Sequence, residues 1–172
     1  MPPAKQAPAF RPAQILEVLV RQKLRFVLIG GVAERLLGSP RGTVDMDVCP
    51  ATDTHNLERL AGSLNELEAA FRPLDLESGF PPPVQWDARS FGSFTNLALT
   101  TRYGWLDIWF RPDGTGGYDD LIRNATEMEI RGLRFHVAAL DDIIRNKQAV
   151  GGPKYLSHLP LLRQLRDHRR KS

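Results

Sequence analysis

A chain of 172 residues and 19.3 kDa has the size of one domain with room for a proper core. Hydrophobic residues at 42% and charged residues at 25% exclude a disordered chain, and no apolar run approaches the roughly 18 residues a membrane span needs. The net charge of +3 is made by the two ends: residues 1–25 and 161–172 each hold five basic residues and one acidic one, while the middle is net acidic.

In chain order, residues 1–12 are proline-rich and read as a flexible arm, with residues 13–172 as the domain proper. The same prolines occupy the place where a signal peptide needs an apolar stretch, so a cytoplasmic location is expected. Pro12 opens an amphipathic helix to about Lys23, with Ile15, Leu16, Leu19 and Val20 on one stripe. Arg25 to Ile29 is a short apolar run that reads as a buried strand, bounded by Gly30 and Gly31. Helical character resumes from Val32 to Leu37 and stops at Gly38-Ser39-Pro40. Val44 to Val48 alternates apolar and acidic residues, which predicts a strand closed by Pro50. Asp53 or Thr54 can cap the next helix, ridged by Leu57, Leu60, Leu64 and Leu67.

Residues 72–92 carry Pro73, Pro81, Pro82, Pro83, Gly79 and Gly92 and read as one long loop. Phe94 to Thr100 and Trp105 to Phe110 predict a hairpin turning near Tyr103-Gly104. A turn over Asp113 to Gly117 precedes a short helix over Tyr118 to Ala125. Met128 to Val137 reads as a strand pair around Arg131-Gly132. Leu140 to Val150 is a helix, stopped by Gly151-Gly152-Pro153, and Tyr155 to about Arg169 is the final one. The sum is a single α/β (α+β) domain, a mixed sheet flanked by helices.

Three features carry chemistry. The glycine pair lies between a strand and a short helix, where the backbone can approach phosphates closely. Asp45 and Asp47 follow a 13-residue spacer, and strand periodicity puts both on one face with Met46 and Val48 on the other. Asp107 is a lone acid in the apolar strand WLDIWF and is expected to converge on the first two. Crowded carboxylates repel one another and lose hydration, and a hard divalent cation relieves both problems. Oxygen-only donors suit Mg²⁺ or Mn²⁺ rather than zinc.

Ser39, Arg41 and Thr43 sit in the turn before the acidic strand; Arg41 is a candidate phosphate or acceptor contact. The single cysteine, Cys49, cannot make an internal disulfide and reads as a small buried residue. Trp86, Trp105 and Trp109 read as packing residues rather than a stacking platform for bases. The four histidines are too dispersed to suggest a ligand set.

The stretch LIGGVAERLLGSPRGTVDMDV, with Asp107 on a later strand and the segments GYDDLIRNA and VAALDDIIRNKQAVGGPK, resembles the minimal nucleotidyltransferases of the polymerase β superfamily. Within it the stretch is most similar to the AbiEii-like group, many of them toxins of bacterial toxin–antitoxin pairs. The resemblance implies a nucleotidyltransferase-type mixed sheet and Mg²⁺- or Mn²⁺-dependent transfer of a nucleoside monophosphate from an NTP to an acceptor hydroxyl. By the same resemblance Gly30 and Gly31 contact the nucleotide, Asp45, Asp47 and Asp107 bind metal, Asp107 also serves as base, and Lys147 neutralises triphosphate charge. The acceptor stays open among a tRNA or other RNA 3′ end, a protein and a small molecule, and a cognate antitoxin is a candidate partner. Two departures stand out. Gly31 takes a place where many relatives have serine, and Tyr155 and His158 stand where relatives carry acids. A catalytically weak nucleotide- or partner-binding module on the same fold is the alternative.

Overall fold

Seven strands form one mixed sheet in the order β3-β4-β5-β2-β1-β7-β6 in the computed structural model, which describes residues 6–172. The elements run α1 (Pro12–Arg21), β1 (Phe26–Ile29), α2 (Gly30–Leu36), β2 (Asp45–Pro50), α3 (Thr54–Glu66) and β3 (Ala70–Phe71). A 3₁₀ turn (Ala88–Phe91) leads to β4 (Asn96–Thr101), β5 (Gly104–Trp109), α4 (Tyr118–Leu121), β6 (Thr126–Ile130) and β7 (Leu133–Val137). The chain ends in α5 (Leu140–Val150), α6 (Gly152–Leu156) and α7 (Leu159–Arg170). The expected single α/β domain is thus what the chain forms.

The centre of the sheet positions the site. β2 pairs antiparallel with β1 and parallel with β5, in a register that sets Asp45 against Trp105 and Asp47 against Asp107. Alternation then divides the strands. Met46, Val48, Leu106 and Ile108 are fully buried in the core with Ile15, Leu19, Leu60 and Leu64, while Asp45, Asp47, Trp105, Asp107 and Trp109 lie half-buried on the opposite face.

Local chemistry accounts for the element ends. Asp53 caps α3 by accepting from the Asn56 backbone N–H, and Asn56 in turn bonds the backbone of Arg25 and Ala51, tying α3 to the start of β1 and the end of β2. α2 begins at Gly30 rather than Val32, because Gly30 at φ +69° turns the chain straight out of β1. The single final helix expected from Tyr155 is broken into α6 and α7. Pro160 has no N–H to give to the carbonyl four residues back, so the first helix closes at Leu156 and a new one starts at Leu159. The long loop directly follows β3 and holds the 3₁₀ turn at its end. Trp86 is buried between them, stacked on Phe91 and donating its indole N–H to the Ala69 carbonyl.

Of the arm expected over residues 1–12, residues 1–5 lie outside the described residues. Phe10 packs against the core, and the Arg11 N–H donates to the Tyr103 carbonyl at the β4–β5 turn. Among the described residues no helix is long and apolar enough to cross a membrane.

Candidate active site

Asp47 and Asp107 come from strands sixty residues apart, and the parallel register of β2 and β5 makes them neighbours on the half-buried face. Asp45 lies one step along the same face of β2. The Trp109 indole Nε1 donates to Asp47 Oδ1 at 3.0 Å, and the Thr43 hydroxyl lies 3.3 Å from Asp45 Oδ1. Arg72 Nη2 donates to Asp107 Oδ1 at 2.5 Å, with both side chains mostly shielded from solvent.

The electrostatics follow from this crowding. Burial first, then the charges of Asp45 and Asp107, push Asp47 up to about 7 against the Trp109 hydrogen bond and the Arg72 charge that draw it down. Burial also raises Asp107, to about 6, against the opposing pull of the Arg72 guanidinium. Two neighbouring carboxyls therefore hold protons well above the ordinary carboxylate range, and each would release them to a cation placed between them.

Among the described residues no three His, Cys, Asp or Glu side chains stand as a finished metal cage. Asp107 is turned to Arg72 and Asp47 to Trp109 instead. The donor set nonetheless fits a hard divalent ion: it is all carboxylate, overloaded with like charge, and short of protein ligands that substrate phosphates and water would complete.

The glycine turn is shut to side chains by Asp47 and Thr43. A Cβ at Gly30 would fall on the Asp47 carboxylate, and one at Gly31 would lie 2.7 Å from Thr43 Oγ1 and 2.8 Å from Thr43 Cβ. Thr43 thus fills the volume a side chain at position 31 would need. Gly31 and the threonine before the acidic strand are one packing arrangement.

Lys147 lies elsewhere. It is 7% exposed on α5, with its ammonium 2.8 Å from Glu34 Oε1 of α2 but off the line a hydrogen bond requires. It also approaches His158 Nδ1 at 3.3 Å and sits 5.3 Å over the Tyr155 ring. Burial and the Lys147 charge hold His158 below the ordinary imidazole range. Lys147 and Glu34 line a small cavity behind Gly30. The structure therefore spends the Lys147 charge on Glu34, and Tyr155 and His158 stand beside Lys147.

Arg41 is exposed in the loop before β2, its carbonyl accepting from Arg35 and its N–H donating to Ser39 Oγ. Cys49 is buried, which pushes its thiol up to about 12 and leaves it inert.

Arg72, Trp105 and Trp109 are the site residues that sequence reasoning missed. The tryptophans had a signal, since positions 105, 107 and 109 share one face of a strand. Arg72 had none: its partner is 35 residues away and its surroundings look like loop.

No protein-family model matches the chain, and no curated protein matches it. Two solved structures are similar in fold. One is the lincosamide antibiotic adenylyltransferase LnuA with lincomycin bound, with a TM-score of 0.59 and 14% identity, the match covering 90% of this chain and 95% of that one. The other is a Thermotoga maritima protein provisionally described as a nucleotidyltransferase, with a TM-score of 0.50, 15% identity and coverage of 96% and 98%. At these identities the likeness is one of fold, a fold the chain shares with both of these structures.

Proposed function

We propose that the chain transfers a nucleoside monophosphate from an NTP to an acceptor hydroxyl. The acceptor oxygen bonds to the α-phosphorus, the bond from that phosphorus to the bridging oxygen breaks, and pyrophosphate leaves. Supporting this reading above all is the juxtaposition of Asp47 and Asp107 on one half-buried face, directly beside a glycine turn that is closed to side chains.

In this reading Asp45, Asp47 and Asp107 hold Mg²⁺ or Mn²⁺, which when bound would neutralise charge on the triphosphate and on the acceptor oxygen. Asp107, raised to about 6, is suited to accept the acceptor's proton near neutrality. Gly30 and Gly31 let the triphosphate approach the backbone, and Arg41, exposed nearby in sequence, offers a mobile cation to it. Lys147 acts on the nucleotide indirectly, by anchoring α2 and its glycine turn to α5 through Glu34.

The acceptor is best read as a small molecule. LnuA, similar over nearly its whole length, was solved with lincomycin bound. The basic C-terminal helix, the natural place for RNA, has much of its charge engaged within the chain. Arg166 and Arg170 pair with Asp141, and the Arg169 guanidinium donates to the Leu37 carbonyl. An RNA 3′ end and a protein are the other acceptor classes, and an antitoxin partner goes with the AbiEii-like resemblance of the sequence stretch.

The test is Asp47→Asn, which keeps size and removes one charge. Label transfer from NTP to a panel of hydroxyl acceptors should fall by roughly a hundredfold or more, since a group stabilising charge in the transition state is worth several kcal/mol. Without metal the variant should melt at or above the wild-type temperature, because a repulsion is relieved. The extra stabilisation given by Mg²⁺-NTP should shrink. Wild-type transfer together with the full ligand-induced shift in this variant would end the reading.

A further inference from the structure

Among the three acids Asp107 alone carries a guanidinium. Arg72 reaches it from an unusual distance, for its backbone N–H bonds the Ala98 carbonyl, and Ala98 is the β4 partner of Asp107. A whole strand therefore lies between them, and the Arg72 side chain spans it to reach Asp107. The guanidinium is fixed 4.4 Å over the Trp105 ring, with Nη2 shared between Asp107 Oδ1 and the Leu99 carbonyl. This placement leaves Arg72 Nε buried without a partner, a cost that a purely structural arginine would not be expected to carry.

We propose that Arg72 is the resident counter-cation of the carboxylate face. It is a positioning residue that fixes Asp107 by one oxygen and, by its charge, keeps the acids from holding a bare divalent ion tightly, so that metal enters with the triphosphate. The inference rests on the metal-binding reading above and adds what sets the affinity. Two effects of Arg72 point the same way. It occupies an oxygen that would otherwise face the ion, and it places a positive charge within a few ångströms of the divalent one. Phosphate oxygens of an incoming nucleotide restore the missing negative charge, which is how Mg²⁺ is usually shared between protein and substrate.

The experiment is calorimetric titration of the full chain with Mn²⁺ alone, then with Mn²⁺ and the non-transferable analogue α,β-methylene-ATP. Arg72→Gln should bind bare Mn²⁺ roughly tenfold more tightly than wild type. Arg72→Lys, which keeps the charge, should stay within about twofold. The difference between wild type and Arg72→Gln should narrow when the analogue is present. Arg72→Met, which keeps the stem against Trp105, replaces the glutamine variant if melting curves show that the latter does not fold. A glutamine or methionine variant that binds bare Mn²⁺ no more tightly than wild type, while Asp47→Asn binds it more weakly, overturns the role of Arg72 and leaves the metal site standing. An equal gain in Arg72→Lys also overturns it, because charge would then not be the cause. No Mn²⁺ binding by any variant overturns both this inference and the reading beneath it.

Discussion

Two regions of this molecule bury ionisable groups, and they do so in opposite ways. Behind α2, Glu34 and Lys147 are almost wholly inside, one acid against one base, with the Tyr155 ring and His158 around them. On the sheet face, three acids stand with one guanidinium, which pairs with Asp107 alone, and two of the acids hold their protons far above the ordinary range. The first region is balanced and closed; the second is unbalanced and half-open. Balanced burial holds a fold together, whereas a surplus of like charge stored against solvation is a place prepared for a ligand of opposite sign.

The contrast can be broken most forcefully at Lys147. Lys147→Met should leave Glu34 buried without its counter-charge and cost about 3–5 kcal/mol in urea unfolding. Adding Glu34→Leu should recover most of the loss, because neither charge then needs a partner. No comparable loss should follow Asp47→Asn. If Lys147→Met were as mild as Asp47→Asn, the two regions would not differ as described.

A smaller effect should appear where the sheet face meets the glycine turn. Gly31→Ala puts a methyl against Thr43 and should cost about 1–3 kcal/mol through overpacking. Combined with Thr43→Gly, the loss should be smaller than the two single losses added, by about 1 kcal/mol. Strict additivity in that cycle would mean that Thr43 does not fill the space beside Gly31.

The smallest effect concerns pH. Asp47 has a folded-state value near 7 against an ordinary value of 3.8, so between these limits the native state binds more protons than the unfolded one. Stability without metal must then fall as pH rises from about 4 to 7 and level off above, by about 1–2 kcal/mol once partial exposure is allowed for. Asp107 acts with the same sign to about 6. Asp47→Asn should flatten the slope. A melting temperature that rises over the same interval in metal-free buffer, with no flattening in the variant, would contradict a like-charge surplus.

How much of this could be read from the chain depended on how local the cause was. The α5 boundaries at Leu140 and Val150 follow from a sharp change of composition at Gly151, and the structure has the same ends. Asp45 and Asp47 share a face because strand alternation is local. Trp105 and Trp109 obey the same alternation around Asp107, yet tryptophans inside an apolar run look like packing, which hides their place on the site face. The two-residue β3 exists only because Ala70 and Phe71 pair with β4, and no local preference announces it. Arg72 follows that strand and becomes a site residue through the same long-range pairing. The break before α7 was visible in Pro160, but the apolar periodicity on either side of it suggested continuity.

The parallel pairing of β2 with β5 also governs when the site can come into being. Asp45 and Asp47 belong together from the moment β2 forms, but Asp107 joins them only after the α3 helix, the proline-rich stretch and the β4–β5 hairpin have been traversed. Contacts across such separations close slowly, because a long segment must surrender its freedom before they form. The opposition between Asp107 and the two β2 acids should therefore arise after the local contacts have formed. A nascent or partly opened chain carries only an aspartate dyad and no third acid. Capacity for chemistry would then be gained and lost with the middle of the sheet, making activity a gauge of complete folding.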